Sequence, residues 1–237
     1  ADVAQLEPRV LAAMSRDEQL ATAARGADLY QGLVDQGVID TREHAKVAML
    51  GALYGSTTGR AGELVPRLLR AFPRATAVVG GAAMRGEVGG VVRTWLGRTS
   101  PEPPEAWRAV QDRQHEPDAT DADRQLATRH AREWGRFTRN FVVQGTAAEW
   151  ALCWLADLRG RLRALGNGVD DTGRATGPHI AFFLHDEVIV HTPAALADEV
   201  ATAVRESAAG AGRLLFGDFP VDFPLDVSVV AVSAKTE

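Results

Sequence analysis

The chain of 237 residues holds a single cysteine, Cys153. One thiol cannot close an intramolecular disulfide and cannot furnish a cysteine-rich zinc site, which agrees with a reducing compartment. No apolar run approaches the roughly 18 residues that span a bilayer, and the first residues lack the pattern of a signal peptide, so no membrane partner is expected. An excess of positive charge is missing too. The formal net charge is -5, so any attraction for a polyanion has to come from local clusters. Internal repeats are absent, and no methionine stands at position 1, which reads as a processed or truncated end. Apolar material, in contrast, is plentiful. At 46% hydrophobic residues the chain can build a core in one large domain or two modest ones. These traits predict a globular protein of the cytoplasm.

Periodicity predicts an α+β layout. Residues 5 to 25 carry Leu6, Val10, Leu11 and Met14 at helical spacing, with Pro8 tolerable only in a first turn. Residues 42 to 54 form a second helix, rich in Ala, Met and Leu, that ends at Gly55 and the polar Ser56, Thr57 and Thr58. Short helices are expected onward to about residue 97. The stretch 97 to 123 turns to Pro, Asp and Glu and reads as an exposed loop, the poorest place for chemistry. Helical spacing returns over 124 to 139 and again over 146 to 165, and Trp134, Trp150 and Trp154 on it read as core. After the turn-rich "GNGVDDTGRATG" at 166 to 177, residues 179 to 192 form the clearest strand pair. A helix over 194 to 216 and a strand over 225 to 232 complete the layout.

Two places carry chemistry. In "FFLHDEVIVHTP", residues 182 to 193, the acids Asp186 and Glu187 follow a histidine inside an apolar strand pattern. A carboxylate in such a setting loses several kcal/mol of hydration unless a cation or hydrogen-bond donors replace the water. An ordinary turn would account for the triplet. So would a Mg²⁺ site, which favours oxygen ligands and here needs at least one more carboxylate, with Asp2, Glu7, Asp28 and Glu43 as candidates. The second place is 42 to 54, where Arg42, Lys46, Leu50 and Tyr54 lie four residues apart on one helix face. Two cations at one end and an apolar side chain and a phenol at the other suit a ligand with a charged tail and a flat head, such as a nucleoside triphosphate. A solvated basic turn leading into a core helix has the same spacing.

Taken in order, "DVAQLEPRVLAAMS" from Asp2, "REHAKVAMLGALYGSTTGR" from Arg42, "RFTRNFVVQGTAAEW" from Arg136 and "FFLHDEVIVHTP" from Phe182 resemble the polymerase segments of family A DNA polymerases. The pattern is similar to the actinobacterial branch that joins an exonuclease to the polymerase. The resemblance implies an α+β right-hand polymerase fold with an antiparallel palm sheet and helical fingers. Residues 1 to 27 and 136 to 237 would form the palm and 28 to 135 the fingers, with the thumb outside this chain. It implies template-directed addition of a dNMP to a primer 3′-hydroxyl, with two Mg²⁺ ions held by Asp2 and Asp186, and Glu187 as the neighbouring acid. Arg42 and Lys46 match the basic pair on the triphosphate, with Leu50, Tyr54, Gln5 and Tyr30 also at the dNTP. Glu7 matches the glutamate that rejects a ribose 2′-hydroxyl. Arg136, Asn140, Gln144 and His185 match residues that touch the primer-template. The partners implied are primer-template DNA and a dNTP, and the full-length form is expected to be a monomer at the nucleoid.

Departures from the family pattern are specific. Leu50 replaces an aromatic near the incoming sugar, Tyr30 stands where a histidine is common, Val3 and Ala4 replace a Tyr-Ser pair, and Pro8 interrupts the usual helix. Asp2 lies beside the α-amino group, which competes with magnesium for its charge. A C-terminal portion of a longer polymerase, weakly active or inactive alone, is therefore expected, and a silent module that binds primer-template is the alternative. An HD-type phosphohydrolase is disfavoured, because its adjacent His and Asp lie on a helix, whereas β-branched neighbours make His185 and Asp186 a strand turn.

Overall fold

The computed structural model describes residues 1–56, 58–166, 168 and 176–231. Thr57, most of the turn-rich stretch before residue 177, and Val232 lie outside the described residues. A short strand β1 (Asp2–Val3) leads into α1 (Leu6–Ser15), α2 (Glu18–Ala23), α3 (Leu29–Asp35), α4 (Arg42–Tyr54), α5 (Gly59–Ala71) and α6 (Pro73–Glu87). Then come α7 (Glu105–Arg113), α8 (Asp121–Leu165), the hairpin β2 (His179–Leu184) and β3 (Glu187–His191), α9 (Ala197–Phe216) and β4 (Leu225–Asp226). The α+β layout stands, with four local corrections.

The helix expected over 5 to 25 is two. Arg16 takes a left-handed φ of 50°, and the Asp17 side chain then accepts from Leu20 N at 3.1 Å, capping a new helix. Pro8 falls in the first turn of α1, where no intrahelical N–H is missed. The expected loop over 97 to 123 contains α7, and Thr120 and Asp123 form a capping box that starts α8 three residues before its expected beginning. The two later helices are one 45-residue helix. Gly145 interrupts its apolar spacing, yet the helix runs through it with Thr94 packed close, where a Cβ would lie 2.4 Å from Thr94 Cγ2. Finally, the last strand is confined to Leu225–Asp226 among the described residues.

The four strands form one antiparallel sheet in the order β2-β3-β1-β4. Side chains alternate across it: Val188 and Val190 turn to the core side, while Phe182 and Leu184 remain exposed on the other face. Helix α8 is the spine, because two cores meet along it. One core joins Val3, Leu6 and Val10 to Trp150, Trp154, Leu158, Val188 and Val204. The other gathers α2 to α6 around Leu29, Leu33, Met49, Phe72 and Val79, reaching α8 at Val142 and Val143. Trp150 and Trp154 are fully buried, and Trp154 Nε1 donates to Val204 O at 3.2 Å. Trp134 is only half-buried and sits 4.8 Å from the Phe137 ring, so it is a rim residue rather than core. No described helix is long and apolar enough to cross a membrane.

The packing of α6 on α8 rests on small side chains. A Cβ at Gly86 would lie 2.0 Å from Thr138 Oγ1, whereas one at Gly80 meets nothing within 4 Å. Gly80→Ala should therefore raise stability by about 0.5–1 kcal/mol through helix propensity, and Gly86→Ala should lower it by roughly 1–3 kcal/mol through overpacking. Urea midpoints of the two variants check this, and equal shifts would contradict the packing described.

Candidate functional site

The acids of the hairpin are set by a two-residue turn between Leu184 and Glu187. His185 takes a positive φ of 56°, which histidine adopts more readily than most residues. The tip bearing Asp186 is stitched to β1, as Val3 N donates to Asp186 O at 3.2 Å and Val188 N donates to Ala1 O at 2.8 Å. Asp2 thus lies directly opposite Glu187 on one side and opposite Asp226 on the other. Opposed residues of an antiparallel ladder share a face. Glu187, Asp2 and Asp226 form an acidic row across the sheet, while Val3 and Val188 anchor its other face in the core.

Burial, and after it the charges of Asp186 and Glu187, hold the Asp2 carboxyl above the usual carboxylate range, against the opposing pull of the Ala1 ammonium and the Val3 N–H. Carboxylates crowded in this way favour a bound cation, and oxygen donors suit a hard one. Among the described residues no group of three or more His, Cys, Asp or Glu is gathered to hold a metal. So small a set of carboxylates could hold a hard divalent ion only if water completed most of its shell.

The start of α1 carries the next group. Gln5 adopts a left-handed φ of 50° before the helix, and Glu7 follows in its first turn. Glu7 Oε2 accepts a 2.6 Å hydrogen bond from the hydroxyl of Tyr54, the last residue of α4, and the Gln144 side chain of α8 lies beside that phenol. The stripe on α4 runs from exposed Arg42 and Lys46 through half-buried Leu50 to half-buried Tyr54. Arg42 Nε donates to Asp28 Oδ2 at 2.5 Å, and its guanidinium lies 5.8 Å from the centre of the buried Tyr30 ring. Lys46 makes no ion pair among the described residues.

The residues of α8 are placed less uniformly. Arg136 and Gln144 are exposed, and Asn140 is half-buried with Oδ1 unpartnered among the described residues. Gly55, which caps α4 at φ 73°, lies against this helix, where a Cβ would stand 3.1 Å from Arg136 Cγ and 3.6 Å from Arg139 Cδ. His185 is exposed at the hairpin tip and bonds to none of the other candidates among the described residues. Nine of the candidates fall into three groups: Asp2 with Asp186 and Glu187, Glu7 with Tyr54 and Gln144, and Gln5 with Tyr30 and Arg42 through Asp28. Lys46, Leu50, Arg136, Asn140 and His185 join none of these groups among the described residues.

One organising residue was missed from the sequence. Arg9 is fully buried in α1, and its guanidinium donates to backbone oxygens of Ala4 at 2.8 Å, Ala24 at 2.5 Å, Asp222 at 3.0 Å, Gly26 at 3.0 Å and Ala27 at 3.2 Å. Burial pulls its pKa down to about 10, with Asp222 and Asp28 opposing. The signal available was an arginine among apolar residues in "LEPRVLAA". A buried Thr94 hydroxyl donates in the same hidden way to Glu149.

Comparison with solved structures gives the class first. The POL domain of Pol1 from M. smegmatis, solved in complex with DNA primer-template and dNTP, matches with a TM-score of 0.64 at 20% identity, covering 96% of this chain and 38% of that one. This is the α+β polymerase fold. The family model for DNA polymerase family A matches residues 1–234, and the chain belongs to that family. It is 29% identical over 249 residues to the thermostable DNA polymerase I of Thermus filiformis, covering 97% of this chain and 26% of that protein. For the Thermus aquaticus enzyme the identity is 27% over 248 residues, with 96% and 26% covered. The chain therefore spans about a quarter of the length of these relatives.

The sequence holds two tyrosines, Tyr30 and Tyr54. Burial and then Glu7 push Tyr54 up to about 12, and burial, Asp28 and Glu7 push Tyr30 upward too. Folded values above the unfolded value of about 10 mean that the phenols' contribution to stability is complete below about pH 10 and is lost as pH rises toward the folded values. Tyrosinate absorbance should show little ionisation at about pH 10 in the folded chain and half ionisation in denaturant. Half ionisation in both would contradict the Glu7–Tyr54 contact.

Proposed function

We propose that this chain is the nucleotidyl-transfer portion of a template-directed DNA polymerase, acting on primer-template DNA and a dNTP with Mg²⁺. The observation that carries the reading is the convergence of Asp2, Asp186 and Glu187 where β1 pairs with β3, in a chain of this family. Residues 1 to 27 and 136 to 237 act as the palm and 28 to 135 as the fingers. The two cores follow that division only in part: Leu11, Leu20, Val142 and Val143 pack in the core of α2 to α6, and the boundary near residue 136 falls inside the unbroken α8. The full-length form is read as a monomer working at the nucleoid.

Asp2 and Asp186 would hold the cations, which neutralise charge on the attacking and leaving oxygens of a phosphoryl transfer. The reaction is attack of a primer 3′-hydroxyl on the α-phosphorus of the dNTP, with pyrophosphate leaving. Arg42 and Lys46, projecting from the exposed first half of α4, bind the triphosphate. Glu7, fixed by the Tyr54 hydroxyl, presents a carboxylate that rejects a 2′-hydroxyl by sterics and an unmet polar contact. Leu50 offers the sugar an aliphatic surface. Arg136, Asn140, Gln144 and His185 meet the primer-template and test its shape more than its sequence. Positioning and charge stabilisation account for most of the catalysis such a site supplies.

Primer extension on a recessed duplex with dNTPs and Mg²⁺ tests this. Asp186→Ala should lower the extension rate by several kcal/mol in barrier, about 10³-fold, while duplex binding stays within about twofold. Duplex binding without extension by the unaltered chain would instead establish a silent binding module.

A further inference from the structure

Arg42 is an exposed arginine that nonetheless has a fixed surround. Its Nε is held by Asp28 Oδ2 at 2.5 Å, and its guanidinium carbon lies over the Tyr30 ring, 5.8 Å from the centre. Asp28 is itself not free to follow a moving partner. Its Oδ1 caps α3, accepting from Tyr30 N at 3.0 Å and Gln31 N at 3.3 Å, and Gln5 Nε2 approaches it at 3.5 Å. Gln5 Oε1 in turn accepts from Leu29 N at 3.1 Å and from the buried Arg9 at 3.3 Å. A continuous hydrogen-bonded chain therefore runs from the helix that follows the Asp2 strand to the first residue of α4. It ends on the one edge of the guanidinium that carries Nε. The other edge, Nη1 and Nη2, donates to no described residue.

We propose that Asp28 is a positioning residue that, with the Tyr30 ring, fixes the Arg42 guanidinium so that its Nη edge meets the triphosphate of the incoming nucleotide. This inference rests on the reading of the α4 stripe as the triphosphate site. Two effects of Asp28 compete. Its negative charge repels a triphosphate, but it is partly exposed, with a side-chain exposure of 31%, and solvent and salt screen that repulsion. Its geometric effect is not screened. An arginine already fixed in one rotamer loses less conformational freedom when a phosphate binds, and its planar fork is useful only when it is aimed. The positioning effect is the larger of the two, so removal of Asp28 weakens nucleotide binding. A latch that merely withholds Arg42 from substrate would give the opposite sign.

The test uses Asp28→Ser, which keeps a good N-cap for α3 but is too short to reach Arg42, and Asp28→Asn, which keeps both the cap and an acceptor. Circular dichroism melts confirm that each variant folds. Anisotropy of a fluorescent dATP analogue on the chain with primer-template gives the dissociation constant, and single-nucleotide extension gives KM and kcat. Asp28→Ser should raise the dissociation constant and KM about three- to tenfold, the effect of one rotamer-rich side chain left unfixed, with kcat within about twofold. Asp28→Asn should recover most of the loss, and Asp28→Ser should add nothing in an Arg42→Ala background. A dissociation constant unchanged or lowered in Asp28→Ser, or an equal rise in the Arg42→Ala background, overturns the inference alone. No binding of the analogue by the unaltered chain overturns both the inference and the polymerase reading.

Discussion

The pairing of a two-residue strand decides most of what this chain can do. Strand β1 is held between β3 and β4, and that pairing sets Asp2 against Glu187 on one side and Asp226 on the other, with Asp186 at the adjoining tip. Like charges would separate if the backbone allowed it. They are kept together because Val3 and Val188, on the reverse face, are buried in the core with Leu6, Trp150 and Val204. Apolar burial on one face thus holds the acids together on the other, where burial first, and the charges of Asp186 and Glu187 after it, raise the Asp2 carboxyl.

The helices are tied to this edge by directional bonds rather than by packing alone. Arg9 gathers carbonyls from the Ala24 to Ala27 stretch and from Asp222, so it joins the start of α1, the entry to α3 and the approach to β4. Tyr54 joins the far end of α4 to Glu7, and Asp28 joins its near end to Gln5. Helix α4 is therefore pinned at both ends to residues adjoining the acidic strand. Both contacts set the basic turn and the aromatic end of α4 beside residues that adjoin the acidic strand, an arrangement that would suit the proposed transfer chemistry.

What was legible in the sequence follows the range of the interaction responsible. The hairpin with Asp186 could be read because β-branched residues at 188 to 190 leave a strand turn as the natural place for the acids, and the α4 stripe could be read from a four-residue spacing. Both are local signals. The unbroken α8 could not be read, since Gly145 and its polar neighbours look like a helix end until Thr94, distant in sequence, is found packed against that glycine. Helix α7 was hidden by a Pro- and acid-rich composition that suits its exposed surface. Arg9 was hidden because backbone carbonyls, its partners, carry no side-chain pattern. The break at Arg16 lacked a signal for a different reason, since Asp17 as a cap competes with an apolar spacing that continues past it. The polymerase-like segments supplied the candidate site residues, and the contacts among Glu7, Tyr54 and Gln144 and among Gln5, Asp28 and Arg42 became visible only in three dimensions.

The central claim is that Asp2 and Asp186 together bind the divalent ions of phosphoryl transfer. Electron paramagnetic resonance of Mn²⁺ titrated into the chain with a dideoxy-terminated primer-template and a dNTP tests it most directly. The account predicts Mn²⁺ bound beyond that carried by the nucleotide and DNA alone, lost in both Asp2→Ala and Asp186→Ala. Binding that neither substitution alters, with both variants folded, would contradict it.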